Sequence, residues 1–282
     1  MMEKTITIPA GETKLAAIYH TNEENYKGKR PLIIICHGFV GSKTGVNRLF
    51  VKAAREFAKD GFNVLRFDYA GCGESEGDYG TGGFDHLLVQ TQHVLDFAFG
   101  LEGIDPSRVI LVGHSLGGAV ALLSAIRDTR IHKLVMWAAV GQPFQDIVRI
   151  VGETEYSNSF YLPYIDHEGF ALTNRFFRSL AGYKPFEEVQ NYTGDVLLVH
   201  GTNDEAIPAK YSFLYHSAFK LRKQGRSDKE IIFGADHTFS SIDGVNQLIH
   251  HTRRWLASVL KQQQRTVFER EHEYQTPLFG CM

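Results

Sequence analysis

The 282-residue sequence predicts one α/β domain, a mostly parallel sheet of about eight strands flanked by helices. Three observations predict it. Apolar runs of strand length alternate along the chain with amphipathic stretches of helix length. The pentapeptide Gly113-His114-Ser115-Leu116-Gly117 stands between a β-type run, 108–112, and a small-residue helical run, 118–125. Hydrophobic residues make up 43% and aromatic residues 12% of the chain, enough for a sizeable core.

The elements follow in order. Thr5 to Ile8 and Lys14 to His20 alternate polar and apolar residues, as half-exposed strands of an opening hairpin do. A polar loop, Asn25 to Arg30, leads to the buried strand 32–36. Asn47 to Lys59 reads as a helix with Leu49, Phe50, Ala53, Ala54, Phe57 and Ala58 on one face, and Gly61 closes it. Strand 63–67 comes next. Phe84 to Phe99 is a second helix, with Leu87, Leu88, Val94, Leu95 and Ala98 inward. After strand 108–112 and its helix come strands 133–138, 196–200 and 230–233, and a last helix from about Val245 to Lys261. Roughly 55 residues separate the strand ending near Ala138 from the one starting near Asp195, far more than a crossover between parallel strands needs. The tail 262–282 is polar and charged apart from Val267, Phe268, Leu278 and Phe279, and its sequence does not decide its order.

Gly113 to Gly117 has the Gly-x-Ser-x-Gly pattern of a nucleophile elbow in its required context, strand before and helix after. The sharp turn strains the serine backbone and lifts Ser115 above the sheet edge. Side chains two positions before and after it would collide, so glycines stand there. A serine hydroxyl is a weak nucleophile at neutral pH and needs a base, which in turn needs an orienting acid. Asp204 lies in the loop after strand 196–200, and His237 in the loop after strand 230–233. Both fall past the C-terminal ends of strands, where open α/β sheets place their sites. Glu205 and Asp236 are rival carboxylates, and Asp236 also reads as a turn former. His200 ends a strand and reads as structural, and His250 and His251 as solvent-facing. The side chain of His114 points away from where a base is needed. Phe39, after His37-Gly38 at the end of the first buried strand, and Leu116, after the nucleophile, are the backbone N–H pair expected to hold an oxyanion.

These pieces resemble the α/β-hydrolase superfamily, and within it small bacterial carboxylesterases and cinnamoyl (feruloyl) esterases. The matching residues are His37-Gly38-Phe39, Phe67 to Ser75, Gly113 to Gly118, Gly201 to Pro208 and Gly234 to Phe239. Cys72 stands where the Asp-Tyr-x-Gly-x-Gly-x-Ser loop often carries His; that loop is not catalytic in the family. The resemblance implies a cap insertion at 142–183 over a hydrolase core formed by 1–141 and 184–282. The cap is rich in aromatics, and Gly38, His114, Gln145, Tyr161, Phe176 and Phe177 are the candidate substrate contacts. It further implies ester hydrolysis through Ser115, His237 and Asp204 by way of an acyl-enzyme, with no metal or organic cofactor. The alternatives are a feruloyl esterase and, in another class, a hydrolase-shaped ligand receptor with poor turnover.

Net charge is −2, which gives no electrostatic case for nucleic acid or an anionic membrane. Three widely spaced cysteines form neither a disulfide framework nor a zinc pattern. The N-terminus lacks a signal-peptide apolar stretch, and no apolar run has the length of a membrane span. The expectation is a soluble cytoplasmic monomer or homodimer that binds a small-molecule ester.

Overall fold

In the computed structural model the backbone is described for residues 1–21 and 28–273, and side chains for 1–21 and 28–261. The end of the tail, 274–282, lies outside the described residues. The chain forms β1 (Met2–Ala10), β2 (Thr13–Thr21), β3 (Arg30–Cys36), α1 (Leu49–Lys59), β4 (Asn63–Phe67), α2 (Tyr79–Phe99), β5 (Ile104–His114), α3 (Leu116–Arg127) and β6 (Lys133–Trp137). The segment after β6 holds α4 (Pro143–Val151), α5 (Glu153–Asn158), a hairpin of β7 (Ile165–His167) and β8 (Phe170–Leu172), α6 (Asn174–Ala181) and α7 (Pro185–Glu188). The sheet resumes with β9 (Asp195–Gly201), α8 (Lys210–Lys220), β10 (Ser227–Ile232) and α9 (Ile242–Glu273).

The eight-stranded sheet runs β1-β2-β4-β3-β5-β6-β9-β10. Its first two neighbour pairs are antiparallel and the rest parallel. The chain leaves β3 toward β4 on one side and returns through β5 on the other. The tips of β3 and β5 therefore flank the point where strand order reverses, the crevice in which open α/β sheets carry their sites.

Strand side chains alternate between two cores, because successive residues point to opposite faces. Leu32, Ile34, Leu111, Met136 and Leu198 meet α2, α3 and α8 on one face. Ile33, Ile35, Val112, Trp137 and Val199 meet α1 and α9 on the other. The predicted inward faces of α1 and α2 are all buried. Several boundaries differ from expectation: α1 starts at Leu49, β5 and β10 start earlier, and α9 runs on to Glu273. Helix α2 begins at Tyr79 rather than Phe84, with a kink at Gly83, where φ is 71°. The kink strips Phe84 of its helical acceptor, and Ser179 of α6 supplies one, Phe84 N–H to Ser179 Oγ at 2.8 Å. Phe233, expected at the end of the last strand, lies beyond β10 and is exposed.

The same seam joins the segment between β6 and β9 to the core. Thr173 caps α6 through Phe176 N–H and donates its hydroxyl to the Gly80 carbonyl at 2.8 Å. Asp146 of α4 is fully buried and accepts from Tyr211 of α8 at 3.1 Å. Burial raises its carboxyl pKa against the hydrogen bonds of Gln142 and Tyr211 and the charge of Arg149. No described helix is long and apolar enough to cross a membrane.

Candidate active site

Ser115 occupies the turn from β5 into α3 with φ 58° and ψ −125°, a backbone conformation a non-glycine residue adopts only when its surroundings hold it there. They do so with three hydrogen bonds. Ser115 N–H donates to the Trp137 carbonyl of β6 at 2.9 Å. Its own carbonyl accepts from Gly118 at 2.9 Å and Val140 at 3.1 Å. A side chain at Gly117 would run into the backbone carbonyls of Cys36 and His37, which explains the second glycine of the motif.

His237 Nε2 lies 3.0 Å from Ser115 Oγ, and its Nδ1 lies 2.7 Å from Asp204 Oδ2. The three side chains thus form one hydrogen-bonded chain, although His237 and Ser115 are 122 positions apart. Asp204 Oδ1 accepts from the backbone N–H groups of Ala206 and Ile207 at 3.0 and 2.7 Å. The Asp204 side chain has no exposure. Burial pushes its pKa up, but the hydrogen bonds from His200 and His237, the charge of His237 and the Ile207 N–H outweigh it. The carboxyl is held well below the usual carboxylate range. Arg149 of α4 donates to the Ala206 carbonyl at 2.6 Å and so ties α4 to this loop.

The loop after β3 supplies the opposite wall. His37 Nδ1 donates to the Gly38 carbonyl at 2.9 Å, while its Nε2 accepts from Tyr69 N–H at 3.0 Å. Both ring nitrogens are committed, so the imidazole is locked neutral and the loop is locked with it. A Cβ at Gly38 would sit 3.0 Å from the Ser115 Cβ and 3.2 Å from the His114 carbonyl. The close approach of Gly38 to Ser115 therefore needs a glycine. Phe39 N–H follows directly. Leu116 opens α3, so its N–H has no acceptor within the helix. Phe39 and Ser115 line the same crevice, while Leu116, the residue after the serine, is fully buried behind it.

That crevice is a cavity of about 420 Å³ lined by His37 to Ser42, Gly45, Val46, Phe50, Gly73, His114, Ser115, Phe170, His237 and Thr238. No Asp, Glu, Lys or Arg is among the lining residues. The cap contacts expected from sequence are placed differently. Tyr161, between α5 and β7, is 88% exposed, and Gln145 is exposed on α4; neither lines the cavity. Phe176 and Phe177 are fully buried. Phe176 stands behind Phe39, ring centroids 5.7 Å apart, and Phe177 packs between Phe176 and Tyr156. The reason is the seam with α2: α6 must fill the gap over Tyr79, so its aromatics face the core. Phe170 of β8 is the aromatic residue of this segment that lines the cavity.

His114 lines the cavity, yet its Nε2 donates to the His237 backbone carbonyl at 2.8 Å. Its ring lies against the His237 ring with centroids 4.9 Å apart. The rivals fall elsewhere. Glu205 is exposed, and Asp236 accepts from the backbone and hydroxyl of Ser240, as a turn former does. His200, read as structural, is buried with Nε2 2.9 Å from Asp204 Oδ2. Its sequence signal is a histidine at the last inward position of an otherwise apolar strand, four residues before the acid. Among the described residues no group of three or more His, Cys, Asp or Glu could hold a metal.

Three buried imidazoles make a testable stability claim. Burial, then the Arg66 charge, lowers the His20 pKa to about 4. Burial lowers His37 to about 4, with the Lys43 charge adding to it. Burial, then the His237 charge, lowers His114 to about 3. Each is below the ordinary histidine value of about 6.5, so the unfolded chain takes up protons that the folded chain refuses. Their stabilisation is fully present above pH 6.5 and is lost as pH falls toward 4. The expected slope is about 1.4 kcal/mol per pH unit for each residue. Thermal melts from pH 7.5 to 4.5 should show Tm falling steeply. The H20Q variant should lose about a third of that slope; a Tm flat across the interval would refute the assignment.

A strained serine, an imidazole and a carboxylate at the switch point of a parallel sheet define a hydrolase-type α/β protein. The alpha/beta hydrolase family model matches residues 33–248, and the chain belongs to that family. Among solved structures it is similar to ferulic acid-bound Est1E from Butyrivibrio proteoclasticus, with TM-score 0.75 and 23% identity over 90% of this chain and 98% of that one. It is also similar to mouse alpha/beta hydrolase domain-containing protein 10, with TM-score 0.69 and 22% identity over 91% and 99%. At these identities the likeness is one of fold. Among curated proteins, the mitochondrial palmitoyl-protein thioesterase ABHD10 of Rattus norvegicus is 29% identical over 191 residues, 64% of this chain and 61% of that one. An uncharacterized 31.7 kDa protein of Escherichia coli is 37% identical over 126 residues, 43% and 41%. The chain spans 41–61% of the length of these curated relatives.

Proposed function

We propose that the protein is a serine carboxylesterase for short- to medium-chain, uncharged esters. The observation that carries this reading is the unbroken path from Ser115 through His237 to Asp204, opening on a small cavity without charged walls. Ser115 Oγ attacks the ester carbonyl while His237 Nε2 takes its proton. Asp204 holds the imidazole by Nδ1–H and stabilises its charged form. Phe39 and Leu116 N–H groups receive the developing oxyanion. The alcohol leaves with the proton from His237, and water then clears the acyl-enzyme by the same route. A buried charged headgroup would find no counter-charge in this cavity and would lose its hydration uncompensated.

A feruloyl esterase is the second reading, favoured by Phe39 and Phe170 on the cavity wall, aromatic surface that suits a flat aromatic acyl group. One panel separates the readings: p-nitrophenyl acetate, butyrate, octanoate and palmitate beside methyl ferulate. The expected kcat/KM is at least about tenfold higher for butyrate than for palmitate, since each methylene that finds no pocket forfeits binding. Faster palmitate turnover, raised further by an oil–water interface, would sink the esterase reading in favour of a lipase. A methyl ferulate rate above every aliphatic ester would select the feruloyl reading. Tight binding without turnover would select a receptor.

A further inference from the structure

Asp204 Oδ2 accepts from two imidazoles. His237 Nδ1 approaches it at 2.7 Å and His200 Nε2 at 2.9 Å. The second partner of His200 Nε2 is the Ile207 carbonyl at 3.1 Å. Both partners of that nitrogen are acceptors, so it carries its hydrogen and donates. His200 itself is buried at the end of β9, with 1% of its surface exposed. We propose that His200 is a positioning residue, which fixes the orientation of the Asp204 carboxylate and tempers its pull on His237.

The physical argument has two parts. The first is geometric. Without His200, Asp204 is held at Oδ1 by two backbone N–H groups of its own loop and at Oδ2 by His237 alone. The base would then be steadying its own orienter. A donor from the rigid sheet breaks that circularity, because β9 pairs with both β6 and β10. The second part is electrostatic. An N–H aimed at Oδ2 draws negative charge from the oxygen that faces His237. Removing it makes Oδ2 more basic, so the His237 imidazolium gains stability and the proton is held to higher pH. The other charged and titratable groups facing this pair are His114 from the end of β5, Asp236 beside His237, and Arg149 of α4 at the Ala206 carbonyl. None of them is itself substituted, so a shift shared by H200F and H200N and absent from H200Q reports His200.

The proposal rests on the esterase reading for its kinetic consequence, and its test has one arm that needs no substrate. The full chain is compared with H200Q, which keeps a donor at the position of Nε2, and with H200F and H200N. Phenylalanine has no donor, and the asparagine amide is too short to reach. The titration of His237 is followed by imidazole NMR, and kcat and KM for p-nitrophenyl butyrate are measured across pH. In H200F and H200N the His237 midpoint should rise by about half a pH unit or more. Their plateau kcat should fall about tenfold with KM little changed, and the acid limb of kcat/KM should move up with the NMR midpoint. In H200Q both midpoints should stay at the parent value. A His237 midpoint unmoved in H200N or H200F, with Tm lowered, would overturn the proposal and leave His200 a packing residue. An NMR shift as expected in a protein that hydrolyses no ester would uphold the positioning of His237 and sink the esterase reading instead.

Discussion

Replacement of Ser115 by alanine is expected to lower ester turnover by about 10⁴-fold or more while leaving Tm within a few degrees of the parent. The size follows from how such chains of groups act. Serine, imidazole and carboxylate work as one unit, so loss of the attacking oxygen costs nearly the whole chemical advantage of the set. What remains comes from the N–H pair of Phe39 and Leu116 and from substrate binding. The small effect on stability follows from the local packing. The elbow is held by backbone hydrogen bonds to Trp137, Gly118 and Val140, and alanine keeps all of them. Alanine also keeps the Cβ against which Gly38 is fitted. It loses one hydrogen bond, from Oγ to His237. The check is paired: kcat/KM on p-nitrophenyl butyrate and a thermal melt of the same preparation. Ordinary activity in S115A would eliminate the mechanism. Lost activity with a collapsed Tm would mean that the hydroxyl serves the fold, contrary to the geometry.

The three residues that the structure joins by hydrogen bonds, Ser115, His237 and Asp204, could be singled out in the sequence because each obeys a local rule that survives folding. Ser115 needs glycines around a strained turn, and Asp204 and His237 must follow the tips of parallel strands. Strand order did not have to be known for that. The burial of the central strands was legible for the same reason: the unbroken apolar run 32–36 serves a core on each face. The cap contacts were not legible. Tyr161 and Phe176 are both aromatics of one insertion, and sequence spacing does not reveal which of them faces solvent, core or cavity. That choice is made by α6 docking on α2 through Thr173 and Ser179, contacts that span 93 and 95 positions. Helix α2 starts ahead of Phe84 across Gly80, Gly82 and Gly83, residues that carry little helix propensity of their own. The structure tolerates them by kinking and borrowing a cap from Ser179. His200 was read as structural because a single histidine at a strand end has no local signature of use. Its meaning lies in sharing Asp204 with a residue 37 positions further on, which only the folded chain brings to the same oxygen.

Replacement of Asp204 by asparagine should lower kcat by about 10³- to 10⁴-fold and, unlike S115A, should also lower Tm by several degrees. The asparagine carbonyl can keep the N–H groups of Ala206 and Ile207. Its NH₂ then occupies the place of Oδ2 and faces two further donors, His237 Nδ1–H and His200 Nε2–H. Two donors cannot satisfy one another, so His237 must take the other tautomer, with Nδ1 accepting and Nε2 protonated. A protonated Nε2 facing Ser115 is no base, and the attacking hydroxyl keeps its hydrogen. His200 is left with the Ile207 carbonyl alone. Each buried polar group that loses its partner costs about 1–3 kcal/mol, and in a chain of this size each kcal/mol lowers Tm by about 2–4 °C. The pH dependence separates this charge effect from simple misfit. The folded carboxyl of Asp204 is held below its unfolded value, so its stabilisation is present above the ordinary carboxylate range and is lost only as pH falls through the lower folded value. The Tm gap between parent and D204N should therefore stay constant from pH 8 to about 5 and narrow only in more acid solution. Melts of both proteins across that range, with kcat at neutral pH, test the argument. A gap that closes between pH 7 and 5, or a D204N enzyme with near-parental kcat, would show that another group orients His237.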